Sequence, residues 1–311
     1  MSNQSGDWLV FVDTNIFLDF YRQSGPSVDR LLAALEKHTD RLITGDQVRM
    51  EFYKNRQKVI QKSLSDLKEP AAQNLPQILS NLKPSSALST QQKLYKEKFK
   101  EVKARGELIL TNPARYDKVF QSFKRIYGAD TKYNLCRPMK ERFSVRSLAR
   151  KRFALGYPPR KAGDTSIGDS LNWEWIIHCA KQGPSKKNVL IVSRDGDYGI
   201  SINNDAVLND WLQQEFKDRV SNRVKIRLTT KLTDALRILD EEVMPEDIEE
   251  ENRIIETGKR DENDSEGGEI YNSLLLLLRD SMSHSVKKNI ASSLSDGEDT
   301  GDISPEGHDK G

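Results

Sequence analysis

The chain is predicted to be an α/β protein, a three-layer α/β/α sandwich around a central parallel sheet, and three observations carry that prediction. Two short apolar runs, WLVFV at Trp8–Val12 and NVLIV at Asn188–Val192, have strand length without polar alternation. Such runs suit strands covered on both faces. Strand-like and helix-like segments alternate from residue 8 to about 240, the pattern of parallel strands joined by crossover helices. Both apolar runs are also followed closely by carboxylates, Asp13 after the first and Asp195 after the second. Open parallel sheets bind ligands at the carboxyl ends of their strands.

After the first strand, residues 16–22 and 27–37 read as helices, the latter with Leu31, Leu32 and Leu35 along one side. Residues 41–43 form a short strand candidate, and 47 to about 66 a helix. The stretch 70–155 is punctuated by Pro70, Pro76, Pro84, Pro113 and Pro138. It is too long for a loop and is predicted as a helical insertion. Beyond it, 169–181 is helical, 188–192 is the second buried strand, 208–216 a helix, 224–228 a strand and 232–239 a last helix. The expected domain therefore spans 1–240. An acidic, aromatic-poor linker at 241–268 is expected to be disordered. Apolar spacing over 269–294 suits one amphipathic helix, and 295–311 is expected as disordered tail.

The formal charge of +2 over 311 residues hides a strong asymmetry. Residues 83–161 carry 21 Lys and Arg against 6 Asp and Glu, whereas 240–311 carry 7 against 21. A basic middle points to a polyanion-binding surface, and an acidic end to a solvated or regulatory tail. The commonest role of such a tail is plain solubilisation; binding a protein partner and folding back on the basic surface are the alternatives. The longest aliphatic run, Leu274–Leu278, is far short of a spanning helix, so no membrane association is expected. Residues 1–7 lack the basic and apolar regions of a secretory signal. Two cysteines, Cys136 and Cys179, are too few for a disulfide framework or a cysteine-based zinc site. The expected location is a reducing cytoplasm.

Four acids have residue contexts suited to one site: Asp13, Glu51 on the helix after the second strand, Asp169 at a helix start, and Asp195. A cluster of carboxylates invites a hard divalent cation, because Mg²⁺ takes oxygen ligands and keeps part of its water shell. Each acid has an ordinary structural rival. Asp13 suits an N-cap or turn, Asp169 suits a helix N-terminus, and Glu51 suits an i,i+4 contact with Gln47 or Asn55. Asp19, Asp46 and Asp164 read as structural, Asp197 as an extra ligand or a turn former beside Gly196. Trp173 and Trp175 read as helix packing, and His38 and His178 as ordinary histidines.

Taken in order, the segments resemble the motifs of the PIN nuclease domain. VDTNIFLDFYR at 12–22 is similar to its first motif, TGDQVRMEFYKNR at 44–56 to the second, GDSLNWEWI at 168–176 to the third and IVSRDGDYG at 191–199 to the fourth. Ser193 stands where that family usually has Thr, which keeps the hydroxyl. The segment GYPP at 156–159, followed by Lys161, further resembles a PIN-like subgroup with an enlarged helical insertion. The resemblance implies a metal-dependent endoribonuclease using one or two Mg²⁺ or Mn²⁺ ions, with Asp13 as central ligand and Asp169 and Asp195 beside it. Glu51 would ligate directly or through water, Asp197 would be an additional ligand, and Thr14, Asn15 and Ser193 would hold ligand geometry. Implied products are 5′-phosphate and 3′-hydroxyl ends, in a toxin-like or defence role. The rivals are a structure-specific DNA nuclease of the related 5′-nuclease type and a non-catalytic PIN scaffold that binds RNA or protein. All four acid positions are filled, which counts against the scaffold. Arg56, Lys58, Arg142, Arg146, Arg150, Lys151 and Arg152 are the expected nucleic-acid contacts, with RNA preferred over DNA. Tyr95, Phe99, Tyr127, Tyr133 and Phe143 are interleaved with the basic residues and suit base stacking or the insertion's own core.

Overall fold

Every residue of the run WLVFV is buried in β1 (Trp8–Val12), the middle strand of a five-stranded parallel sheet. The computed structural model describes residues 8–257 apart from 24, 70–74, 81, 161–164 and 203–204. In chain order the elements are β1, α1 (Thr14–Asp19), α2 (Ser27–Lys37), β2 (Leu42–Gly45), α3 (Asp46–Asp66), α4 (Gln77–Ser80), α5 (Lys83–Thr111), α6 (Pro113–Tyr116) and α7 (Lys118–Gly128). They continue with β3 (Asn134–Leu135), α8 (Glu141–Ala154), α9 (Gly168–Lys181), β4 (Asn188–Val192), the hairpin β5 (Gly199–Ile202) and β6 (Asp205–Leu208), α10 (Asp210–Arg219), β7 (Ile226–Thr229) and α11 (Leu232–Ile238).

The sheet order is β3-β2-β1-β4-β7, all parallel, with β5-β6 as a separate antiparallel pair. The chain moves outward from β1 to β2 and β3, then crosses back to β4 and on to β7. Right-handed crossovers in opposite directions put their helices on opposite faces. Contacts agree: α2 packs with α7 and α11 on one side, and α8 with α9 on the other. The ion pair from Arg219 of α10 to Glu174 of α9 at 2.6 Å binds the two helices on that second side. The direction reverses between β1 and β4, so the crevice at their carboxyl ends is the topological switch point. Val12 pairs with Val192, and Asp13 N–H donates to Val192 O at 2.9 Å. That register sets Asp13 beside Ser193.

The three-layer α/β/α architecture is as the sequence predicts. The 70–155 block differs, because it is an insertion only in part. β3 is an edge strand of the main sheet, with Thr44 paired to Asn134. In α7, Phe123 stacks on Phe52 at 3.8 Å and on Tyr127 at 4.2 Å, and Phe17 meets Phe123 edge-on at 5.0 Å. Arg125 and Lys118 of α7 pair with Glu36 and Asp29 of α2. Tyr127 and Tyr133 are therefore core residues and not base platforms. The projecting portion is α5, whose apolar side chains Leu88, Tyr95 and Val102 are all exposed. Trp173 and Trp175 are buried as expected, and the Trp175 indole N–H donates to Thr44 O at 2.9 Å.

The expected disordered linker at 241–268 is corrected over its first part. A helix covers residues 245–257, and three acids of this part, Glu241, Asp247 and Glu251, are used internally. Glu241 pairs with Lys37 at 2.8 Å and His38 at 2.9 Å, and Asp247 pairs with Arg30. Glu251 is 1% exposed and accepts from Leu232 N, Thr233 N and Thr233 Oγ1 at 2.5, 3.0 and 2.7 Å. It thus caps α11, whose own N-cap residue makes no side-chain cap. Net negative charge suggested solvation, but these three acids meet cations and orphan amides one by one. Glu251→Gln keeps the shape and loses the charge. It is expected to cost about 1–3 kcal/mol, a fall of about 3–10 °C in melting temperature for a domain of this size. Calorimetry showing no shift would contradict the capping role. The expected helix at 269–294, the tail at 295–311, Lys161 and Asp164 lie outside the described residues. No described helix is long and apolar enough to cross a membrane.

Candidate active site

The crevice is built from four separated segments. Asp13 follows β1 with extended backbone, φ −73° and ψ 159°, and its carboxylate accepts from Thr14 N at 2.6 Å as the N-cap of α1. Its second oxygen accepts from Ser193 Oγ at 2.5 Å and Asn15 Nδ2 at 3.1 Å. The structural role and the site position thus coincide in one residue. Ser193 Oγ in turn accepts from Asp195 N at 3.0 Å, fixing the loop after β4 against β1. Glu51 lies one helical turn into α3, where Thr14 Oγ1 donates to one oxygen at 3.0 Å and Gln47 Nε2 to the other at 2.6 Å. The i,i+4 contact with Gln47 exists, but it aims Glu51 at the crevice. Asp169 enters from the first turn of α9.

Electrostatics show that these groups share one volume. Burial pushes the Asp13 carboxyl up to about 6, the repulsion of Asp195 and Glu51 adds to it, and the Ser193 and Thr14 hydrogen bonds oppose it. Burial likewise pushes Asp169 up to about 8, aided by the charges of Asp13, Asp197, Asp195 and Glu51. Two tyrosines that sequence reading did not assign to the site adjoin it. Tyr127 donates to Val12 O at 3.3 Å, and burial together with the charges of Asp13 and Glu51 holds its phenol well above the usual range. Tyr198 is fully buried, its hydroxyl has no hydrogen-bond partner among the described residues, and Asp169 and Asp13 raise it beyond the effect of burial. Its place after Gly196-Asp197 gave no signal separating it from an ordinary core aromatic.

The donor set is all oxygen, anionic and partly desolvated, with an unsatisfied buried hydroxyl beside it, and that chemistry fits a hard divalent cation. Among the described residues no three acid, imidazole or thiol groups already stand in a metal-ligand arrangement. Asp13 and Glu51 instead spend their oxygens on Thr14, Asn15, Ser193 and Gln47.

Gly168, the first residue of α9, occupies a tight position. A Cβ there would meet Gln47 Nε2 at 2.6 Å and Glu51 Oε1 at 2.7 Å. Both are ends of flexible side chains, so Gly168→Ala would displace the carboxylate more than the backbone. The expected result is a loss of roughly 10-fold in activity with melting temperature nearly unchanged. Full activity in this variant would mean that Glu51 placement is immaterial.

The expected nucleic-acid contacts divide. Lys58, Arg146, Arg150 and Lys151 are exposed, and Arg142 is partly so. Arg56 and Arg152 are corrected to structural residues. Arg56 is 3% exposed and pairs with Asp117 at 2.6 Å, while Arg152 is equally buried and pairs with Glu174 at 3.0 Å and with Glu215. Both lie on helices that present other cations to solvent, so their burial was hidden by the charge of their surroundings. Asp19, read as structural, pairs with Arg22 and Arg194. Arg194 also reaches Glu251 at 3.4 Å, which ties the loop between Ser193 and Asp195 to the 245–257 helix.

Fold and site together define a doubly wound α/β protein whose switch-point crevice gathers acids from β1, α3, α9 and the loop after β4. A family profile described as PIN domain matches residues 10–198, which include all of those acids. The chain belongs to the PIN-domain family, a nuclease-type superfamily. No curated protein and no solved structure gives a significant match.

Proposed function

We propose that the protein is a metal-dependent endoribonuclease, acting in the cytoplasm, that hydrolyses RNA phosphodiester bonds at the switch-point crevice. The observation that carries this reading is the gathering of Asp13, Glu51, Asp169 and Asp195 from four chain segments into one partly desolvated crevice, where burial and mutual repulsion raise Asp13 and Asp169. Asp13, Asp169 and Asp195 would hold Mg²⁺ or Mn²⁺, with Glu51 and Asp197 completing the acidic wall. A bound divalent ion supplies a nucleophilic water at neutral pH and neutralises charge on the phosphate. Thr14, Asn15, Ser193 and Gln47 orient the carboxylates, as neighbours of metal ligands generally do. Lys58, Arg142, Arg146, Arg150 and Lys151, all exposed or partly so, would contact phosphates of the substrate.

Labelled single-stranded RNA and flapped DNA, each incubated with the full chain and Mn²⁺, test the proposal. RNA fragments bearing 5′-phosphate and 3′-hydroxyl ends are expected. Preferential cutting of the flap would make the protein a structure-specific DNA nuclease, and binding of RNA without cutting would make it a scaffold.

A further inference from the structure

Beside the acids lies a cleft of ≈ 540 Å³. One wall is the first part of α3, with Arg49, Met50 and Tyr53, and the other is α8, with Arg142 and Arg146; Arg137 follows β3 at its base. Among the described residues that line it Asp46 is the one acid, and it is paired with Arg49 at 2.7 Å. Among the described residues no carboxylate pairs with Arg137, Arg142 or Arg146. Arg142 donates from one terminal nitrogen to Arg137 O at 2.6 Å, yet its Nε–H is buried with no partner. Three unneutralised guanidiniums and one unfilled donor form a site for anionic oxygen.

The cleft also offers a flat apolar surface. The Tyr53 ring stacks on Phe120 at 5.5 Å and 28°, which fixes its plane, while the side chain remains 41% exposed. Met50 beside it is 48% exposed. A rigid aromatic ring with an open surface, flanked by arginines, is the combination that stacks an unpaired base and holds its phosphates. Paired bases in a duplex have no face free for such a ring. Arg142 and Arg146 are one helical turn apart, about 5–6 Å between their Cβ atoms, comparable to one nucleotide step along a strand. The cleft connects to the acids through Gln47, which lines it and donates to Glu51.

We propose that the Arg137–Arg142–Arg146 cleft is the substrate-strand site. It takes single-stranded nucleic acid, with one base stacked on Tyr53 and adjoining phosphates on the arginines, and delivers the strand to the acids past Gln47. This deepens the nuclease reading and rests on it for the direction of delivery, though not for binding.

The test is binding of the full-length Asp13→Asn protein, in EDTA, to a fluorescein-labelled octaribonucleotide carrying 4-thiouridine and to the corresponding duplex. The single strand is expected to bind at least about 10-fold tighter than the duplex, and irradiation is expected to crosslink it at Tyr53. Arg142→Glu and Arg146→Glu are each expected to weaken binding about 10-fold or more and to lower the salt slope by about one. Tyr53→Ala is expected to weaken it about 5- to 100-fold with the salt slope unchanged. Tyr53→Leu keeps apolar bulk against Phe120 and is expected to give the same loss, which separates stacking from damage to the fold. Equal affinity for duplex, or indifference to the arginine variants, overturns the proposal; the latter is also the result if the cleft holds an acidic protein segment. Localised binding in Asp13→Asn with no cleavage by wild type in Mn²⁺ would remove the nuclease reading and leave the cleft. Cleavage with unaltered binding in the cleft variants would do the reverse.

Discussion

Asp13→Asn is expected to lower phosphodiester cleavage at least about 100-fold while raising the stability of the metal-free protein above pH 7. The substitution preserves shape, and Asn caps helices as well as Asp, so the bond from Thr14 N at 2.6 Å can persist. The amide nitrogen then faces Ser193 Oγ and Asn15 Nδ2, now at 2.5 and 3.1 Å from a carboxylate oxygen. Asn15 must turn its own oxygen inward, and Ser193 must accept instead of donate. Those changes are local and cheap beside the removal of a buried charge. Above pH 7 the wild-type carboxyl is ionised against a folded-state value of about 6 and an ordinary value of 3.8. That difference corresponds to a penalty of about 3 kcal/mol that the amide escapes, less its rearrangement. Cleavage kinetics on labelled RNA and thermal melts at pH 8 check both halves. A general loss of fold would lower activity and melting temperature together. Activity within a few-fold of wild type would remove Asp13 from the chemistry.

The opposed signs in that variant reflect how the sequence could be read. Buried strands followed by carboxylates were visible because a strand covered on both faces is apolar throughout, and an acid placed after it breaks the pattern. Glu51 and Asp169 were visible only as members of an ordered set of motifs, since each alone suits an exposed helix. What was not legible was partner identity. Arg56 and Arg150 are indistinguishable as letters in basic helices, yet one is sealed against Asp117 and the other is exposed. Glu251 looked like one more acid in a solvated tail and instead caps α11. β3 is two residues long, too short for any periodicity, and its neighbours on both sides are helical and basic. Tyr198 and Gly168 are defined by their neighbours in space, Asp169 and Asp13 for the one and Gln47 and Glu51 for the other, which segments apart in the chain supply only after folding. Long-range pairing decided each of these cases, and local pattern is silent about it.

The acidic crevice should make the protein respond to pH and to divalent ions together. Asp13 and Asp169 have folded values of about 6 and 8, both above the ordinary 3.8. A raised carboxyl binds its proton more tightly when folded than when unfolded. Its contribution to stability is therefore complete below about pH 4 and is lost as pH rises through the folded value. The melting temperature of the metal-free protein should fall from pH 4–5 toward pH 8, in the range where most proteins change little. Asp169→Asn should flatten the upper part of that fall, and Asp13→Asn the lower part. A cation that neutralises the crevice acts against the same repulsion. Mn²⁺ or Mg²⁺ at about 100 times its dissociation constant should stabilise by about 3 kcal/mol at pH 8, roughly 5–10 °C in a domain of this size. At pH 5 the ion must compete with protons for the same oxygens, so its effect should be much smaller. Melts across this grid of pH and metal need no substrate and no activity. A flat metal-free profile would show that the acids do not share a volume, and equal stabilisation at pH 5 and pH 8 would place the ion elsewhere. Loss of the ion's effect in Asp13→Asn, with the rest of the pH profile retained, would locate it among these carboxylates.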